Sequence, residues 1–201
     1  MSGRESPIKK STNTLPNRVH RRIILCDYGT PIYQAGSRET LLGALADCIE
    51  GHESLQRQAG LLHRDNFLNN LMINKDNRGF WIDLDLAINE QHWFMHDLES
   101  FVWVLFWICI HFDGPIKDRV VSRFDKCNYV DTDERAEDLA GLKLVLMAME
   151  ERFTQYYQPL APLMNSLRKV VFPEDKPWKR EDERLYSRMA EILRKGQEDL
   201  K

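Results

Sequence analysis

The chain is short of the features that mark several protein classes. It has four cysteines in 201 residues, Cys26, Cys48, Cys109 and Cys127, and no two of them form a CxxC pair. Cys48 and Cys109 fall within apolar, helically spaced stretches, so a disulfide framework is not expected, and reduced thiols in an intracellular protein are. Neither sign of charge dominates. Twenty-eight basic residues face 31 acidic ones, a net charge of −3, which gives no case for a nucleic-acid partner. The beginning of the sequence lacks an apolar leader-like stretch. The longest apolar run, FVWVLFWICI (101–110), is ten residues, too short by itself to span a bilayer and suited to a buried core helix. The expectation is a cytoplasmic or nuclear protein with no membrane partner. No internal repeat is visible.

What remains is ordinary globular composition, 43% hydrophobic and 29% charged, enough for one sizeable core. Residues 1–21 are polar and basic, with Arg4, Lys9, Lys10, Arg18 and Arg21 against Glu5 alone, and read as a disordered tail. RIILCDYGTPIY (22–33) reads as a strand running into a Gly-Thr-Pro turn. A helix follows, capped by Ser37 and closed by Gly60, with Leu41, Leu45, Cys48, Ile49 and His52 at helical spacing. A second helix is expected from about Asp97 to Phe112, apolar at nearly every position and therefore buried on all sides, with Gly114-Pro115 stopping it. After an irregular charged stretch, further helices are expected over 142–157, over 160–172 with Pro162 at its start, and near the C-terminus, where Leu185, Met189, Ile192 and Leu193 mark an apolar face. The fold class is mainly α with a small β-hairpin. One domain occupies residues 22–195, and 196–201 read as a tail.

The hairpin is the most informative element. LMI (71–73) and FWI (80–82) flank NKDNRG, a turn rich in Asn, Asp and Gly. Antiparallel pairing brings Asn70, before the first strand, beside Asp83, after the second. Asp65 lies on the loop entering the hairpin, over the same spot. Two carboxylates and a carboxamide suit a hard cation such as magnesium carrying substrate phosphates, and not an imidazole- or thiolate-rich metal site. His92 and His96, four apart, lack the HExxH glutamate and a third ligand, and read as polar residues at a helix start rather than a zinc site. The aromatics Trp93, Phe94, Phe101, Trp103, Phe106 and Trp107 read as core.

HRDNFLNN (63–70) matches the protein-kinase catalytic loop H-R-D-x-x-x-x-N, and Asp83-Leu84-Asp85 stands where kinases carry D-F-G. Together with LLHRD, NNLMIN, WIDLDLA, HDLESFVWVLFWICIH, PNRVHRRIIL, CDYGTPIY and KREDERLYSRM, these stretches resemble the fungal-type protein kinase family, in which D-L-D replaces D-F-G. The resemblance implies a protein kinase-like C-lobe and ATP-dependent phosphoryl transfer to Ser/Thr hydroxyls of a protein substrate. It implies that Asp65 orients the attacking hydroxyl and accepts its proton, and that Asn70 and Asp83 hold Mg2+ ions bridging the ATP phosphates. It also implies that His63 supports the loop, Arg64 pairs with the activation segment, and Asp97 hydrogen-bonds the catalytic-loop backbone. RIILCDYGTPIY becomes the last strand of the nucleotide lobe and the hinge.

The same comparison exposes departures. The 201 residues contain no G-x-G-x-x-G, and Lys9 and Lys10 lack strand context. Asp83 to Asp97 is 14 positions, too short for a full activation segment. Phe67 stands where serine/threonine kinases carry a lysine. The expectation is a truncated domain, hinge plus C-lobe, whose activity is impaired or lost. The alternatives are a non-catalytic binding or scaffold module built on a C-lobe and, against the grain of Arg64 and HDLES, a small-molecule phosphotransferase.

Overall fold

The computed structural model describes residues 29–62, 68–82, 93–115, 117, 152–173 and 181–201. The tail at 1–21, strand residues 22–28, Cys26, His63, Arg64, Asp65, Asp83, His92, Cys127 and the helix expected over 142–151 lie outside them.

Strand β1 (Thr30–Pro31) opens the described chain and is followed by one 3-10 turn (Ile32–Gln34). A strand thus stands where the sequence suggests a turn. Thr30 pairs with Ile73 and Pro31 with Met72, antiparallel. Proline fits because β1 is at the sheet edge, where no ladder N–H is required. The expected hairpin is therefore two-thirds of a three-stranded antiparallel sheet in the order β1-β2-β3.

Helix α1 (Arg38–Ala59) has the expected ends. The Ser37 hydroxyl accepts from the Thr40 amide at 3.1 Å, satisfying one of the first-turn donors. Gly60 closes the helix in the left-handed conformation, φ 64°, where a glycine meets no Cβ penalty. After a second 3-10 turn (Leu68–Asn70) come β2 (Leu71–Ile73) and β3 (Gly79–Trp81). β3 begins one residue earlier than its apolar run.

Helix α2 (Phe94–His111) starts three residues before Asp97, which sits in its first turn, where a negative charge meets the positive end of the helix dipole. It is not buried on all sides. Its phenylalanines and aliphatic residues are core, while Trp103 and Trp107 are half-buried and His96 is exposed. Wide indole rings at the core margin cover apolar surface while leaving one edge in water. By length and composition α2 passes the test for a membrane-crossing helix, but 72% of it is buried inside the protein, as in the core helix of a soluble fold. It ends at His111, before Gly114-Pro115, because Phe112 turns extended. Thr154 completes that end: its amide donates to the Cys109 carbonyl at 2.9 Å and its hydroxyl to Phe112 at 2.7 Å, which satisfies carbonyls that have no partner within the helix. Residues 152–157 therefore form a turn rather than the end of a helix.

A third 3-10 turn (Gln158–Leu160) leads into α3 (Ala161–Val171), with Pro162 in its first turn as expected. Helix α4 (Arg184–Asp199) continues through 196–199, where composition alone reads a tail. It packs along α1, and α3 packs against both α4 and α2. The four described helices meet at Leu45, Ile49, Phe101, Leu105, Leu167 and Met189, all but fully buried.

Candidate functional site

The hairpin supplies the backbone of the candidate site. Leu71 pairs with Trp81, Met72 with Phe80 and Ile73 with Gly79. One step beyond the ladder, the Ile82 amide donates to the Asn70 carbonyl at 3.0 Å. The strands thus bring Asn70 level with Ile82, one residue before position 83. At the far end Asn74 organises the turn. Its side-chain oxygen accepts from the amides of Asp76 and Arg78, each at 2.9 Å, an arrangement that mimics a backbone turn. Asn77 takes the left-handed conformation, φ 59°, which asparagine tolerates better than most residues.

The sheet is seated on α1. A Cβ on Gly79 would overlap the Ala44 carbonyl, so glycine is what lets β3 lie against the helix backbone. The Gly79 amide donates to Asp47 Oδ2 at 2.9 Å. Asp47, 8% exposed, also takes ion pairs from Arg78 at 2.9 Å and Arg194 at 2.6 Å. Arg194 reaches Glu50 and the Gly43 carbonyl as well, so one planar guanidinium spans three acceptors. Its pKa stays above the ordinary arginine value, because the hydrogen bonds to Asp47 and Glu50 outweigh the opposing effect of desolvation. At the other end of β3, Trp81 Nε1 donates to the Cys48 carbonyl at 2.9 Å. Its ring meets Phe101 edge-on at 5.2 Å and lies 5.9 Å from His52.

His52 is the centre of a second polar group. It is 1% exposed, beside Asp97 at 3% and Tyr186 at 2%. Its Nε2 lies 2.9 Å from Asp97 Oδ2 and its Nδ1 2.8 Å from the Tyr186 hydroxyl. A carboxylate only accepts, so Nε2 carries the proton, and in a neutral ring the phenol donates to Nδ1. Burial, with the charges of Asp97 and Glu53 adding to it, pushes the Tyr186 phenol well above its ordinary value. The hydroxyl therefore keeps its proton throughout the physiological range. Every member of the group has a partner, as buried polar groups require.

Two sequence-derived site residues fall within the described structure. Asn70 stands at the start of β2, half-buried. Asp97 is buried at the start of α2, and His52 is one of its partners. His63, Arg64, Asp65 and Asp83 lie outside the described residues. Sequence reasoning placed His52 on the apolar face of α1 without giving it a role, and passed over Asp47, Tyr186 and Arg194. The missed signal was available: a histidine and an aspartate on a buried helical face need partners.

Residues 2–91 match the fungal protein kinase family. That is a little under half of the chain, and it encloses HRDNFLNN, both hairpin strands and Asp83-Leu84-Asp85. The resemblance read from those stretches is therefore borne out at family level. No curated protein and no solved structure gives a match. The kinase-family segment contains α1 and the sheet, whereas α2, α3 and α4 fall beyond it. It also takes in residues 2–21, whose composition reads as a tail.

Proposed function

We propose that the chain is a fungal-type protein kinase-like domain with a C-lobe architecture. Its inherited chemistry is ATP-dependent phosphoryl transfer to a Ser or Thr hydroxyl of a protein. The observation that carries this reading is the family match over 2–91, which encloses the H-R-D-x-x-x-x-N loop and the D-L-D stretch. The Ile82–Asn70 backbone bond supports it by setting Asn70 one residue short of level with position 83. In this reading Asp65 takes the hydroxyl proton, Asn70 and Asp83 hold Mg2+ against the ATP phosphates, and Asp97 supports the loop with His63 and Arg64.

The chain by itself transfers phosphate poorly or not at all. Phosphoryl transfer depends on positioning and electrostatic stabilisation, and positioning alone is worth roughly 7–11 kcal/mol in favourable systems. The 201 residues carry no Gly-rich loop, and Asp97 follows Asp83 by only 14 positions, so much of that positioning has no source in them.

Calorimetry of the chain with ATP and magnesium, beside Asp83→Ala, tests the reading. Saturable binding that the substitution abolishes is the expected result. No binding at millimolar nucleotide would sink it and leave the aspartates as inherited remnants in a binding module.

A further inference from the structure

The polar contacts around the sheet end, in both directions, on the last helix. α4 lies antiparallel along α1, so Tyr186 near its start meets His52 and Arg194, two turns on, meets Asp47. Those two α1 side chains touch the two ends of β3. Asp47 accepts from the Gly79 amide. His52 lies against the Trp81 ring, whose indole N–H is held by the neighbouring Cys48 carbonyl. β3 in turn leads to Ile82, whose amide fixes the Asn70 carbonyl.

We infer that Tyr186 and Arg194 are positioning residues: acting through His52 and Asp47, α4 sets where the hairpin carrying Asn70 sits on α1. Apolar packing between α1 and α4 would hold the helices together without these two groups, because Leu185, Met189 and Leu193 are buried on the same face of α4. What they add is direction. Apolar contacts are tolerant of small slides, whereas a bifurcated guanidinium and a buried phenol–imidazole bond each accept only a narrow geometry. Both residues lie outside the kinase-family segment, so the element that fixes the candidate site is supplied by a different part of the chain. The term positioning rests on the phosphoryl-transfer reading, but the geometric claim is tested without nucleotide.

The test is residue-resolved amide hydrogen exchange on the whole chain, comparing wild type with Tyr186→Phe and Arg194→Lys. The first removes one hydroxyl at nearly constant volume; the second keeps the charge and loses the fork. Tyr157→Phe, a buried tyrosine outside this network, is the control. The expected result is exchange about five- to tenfold faster at Gly79 and Ile82, the change that losing one buried hydrogen bond brings. Leu105 in α2 and Leu167 in α3 stay at wild-type rates, and the control leaves all four unchanged. Unchanged rates at Gly79 and Ile82 in both variants overturn the inference. So does acceleration of all four amides together, because the residues would then be general fastenings of the fold. Absence of nucleotide binding by the wild type would sink the phosphoryl-transfer reading alone.

Discussion

The two sides of α1 are held in different ways. Where α1 meets the middle of α2 and α3 the packing is apolar: Leu45, Ile49, Phe101, Leu105 and Leu167 converge with no polar group among them, and the His52–Asp97 bond to the start of α2 lies apart, beside Trp81 on the sheet side. Toward the sheet the contacts are directional: Asp47 to the Gly79 amide, the Cys48 carbonyl to Trp81, and His52 among Trp81, Asp97 and Tyr186. The apolar side supplies stability that scales with buried area and depends little on orientation. The polar side adds less net energy per contact, since each bond replaces one made to water, but it fixes angles and register. The hairpin that bears Asn70 is attached on the second side.

The largest expected effect lies on the apolar side. Leu105→Ala should lower stability by about 3 kcal/mol, within the roughly 2–5 kcal/mol range for a leucine truncated in a core that only partly collapses. Urea unfolding with an unchanged slope is the check, and a loss under about 1 kcal/mol would mean that the four-helix meeting point is loosely packed. Gly79→Ala comes next. The new methyl must displace β3 from the Ala44 carbonyl, at a cost of roughly 1–3 kcal/mol. Here the distinguishing sign is location: exchange at Ile82 and Trp81 should rise far more than exchange in α3. If both sides of α1 loosen equally, the division between them is false. The smallest effect is with pH. A hydrogen bond from Ser37, followed by its own backbone and Arg38, holds Glu39 below the ordinary carboxylate value. Desolvation pushes Asp182 up, but the bonds from Arg184 and the charge of Arg188 outweigh it, and its pKa also falls. Both groups therefore stabilise the fold above their unfolded values, and that contribution fades as pH drops through the lowered folded values. Both are near the surface, so water screens them and the decline should be slight. It should appear as a small loss of melting temperature in the acid range, with the hairpin contacts untouched above it.

The sequence and the structure agree where local chemistry decides. Ser37 and Gly60 delimit α1 because a cap and a left-handed stop are readable one residue at a time. The LMI strand and its turn follow from Asn74 and Asn77. Agreement fails where a partner elsewhere decides. β1 at Thr30–Pro31 exists because β2 offers it an edge, and the turn at 152–157 exists because the end of α2 needs Thr154. The candidate site divides in the same way. The H-R-D-x-x-x-x-N spacing is local and readable, and it lies within the residues that the family match covers. That Asp47 and His52 need partners was readable, but the partners themselves, Arg194 and Tyr186, became visible only once α4 lay along α1, since nothing in RLYSRMAEILR says which helix it will meet.

That arrangement also orders events in time. The hydrogen bond from Tyr186 to His52 joins residues 134 apart, and the one from Arg194 to Asp47 joins residues 147 apart. α1 and the hairpin can form from neighbouring sequence, but their final alignment waits for a loop of most of the chain to close. Pulse-labelled exchange during refolding should find the Gly79 amide protected no earlier than those of α4. The candidate site would then take its final shape no sooner than α4, although its motif precedes that helix in the chain and is synthesised before it.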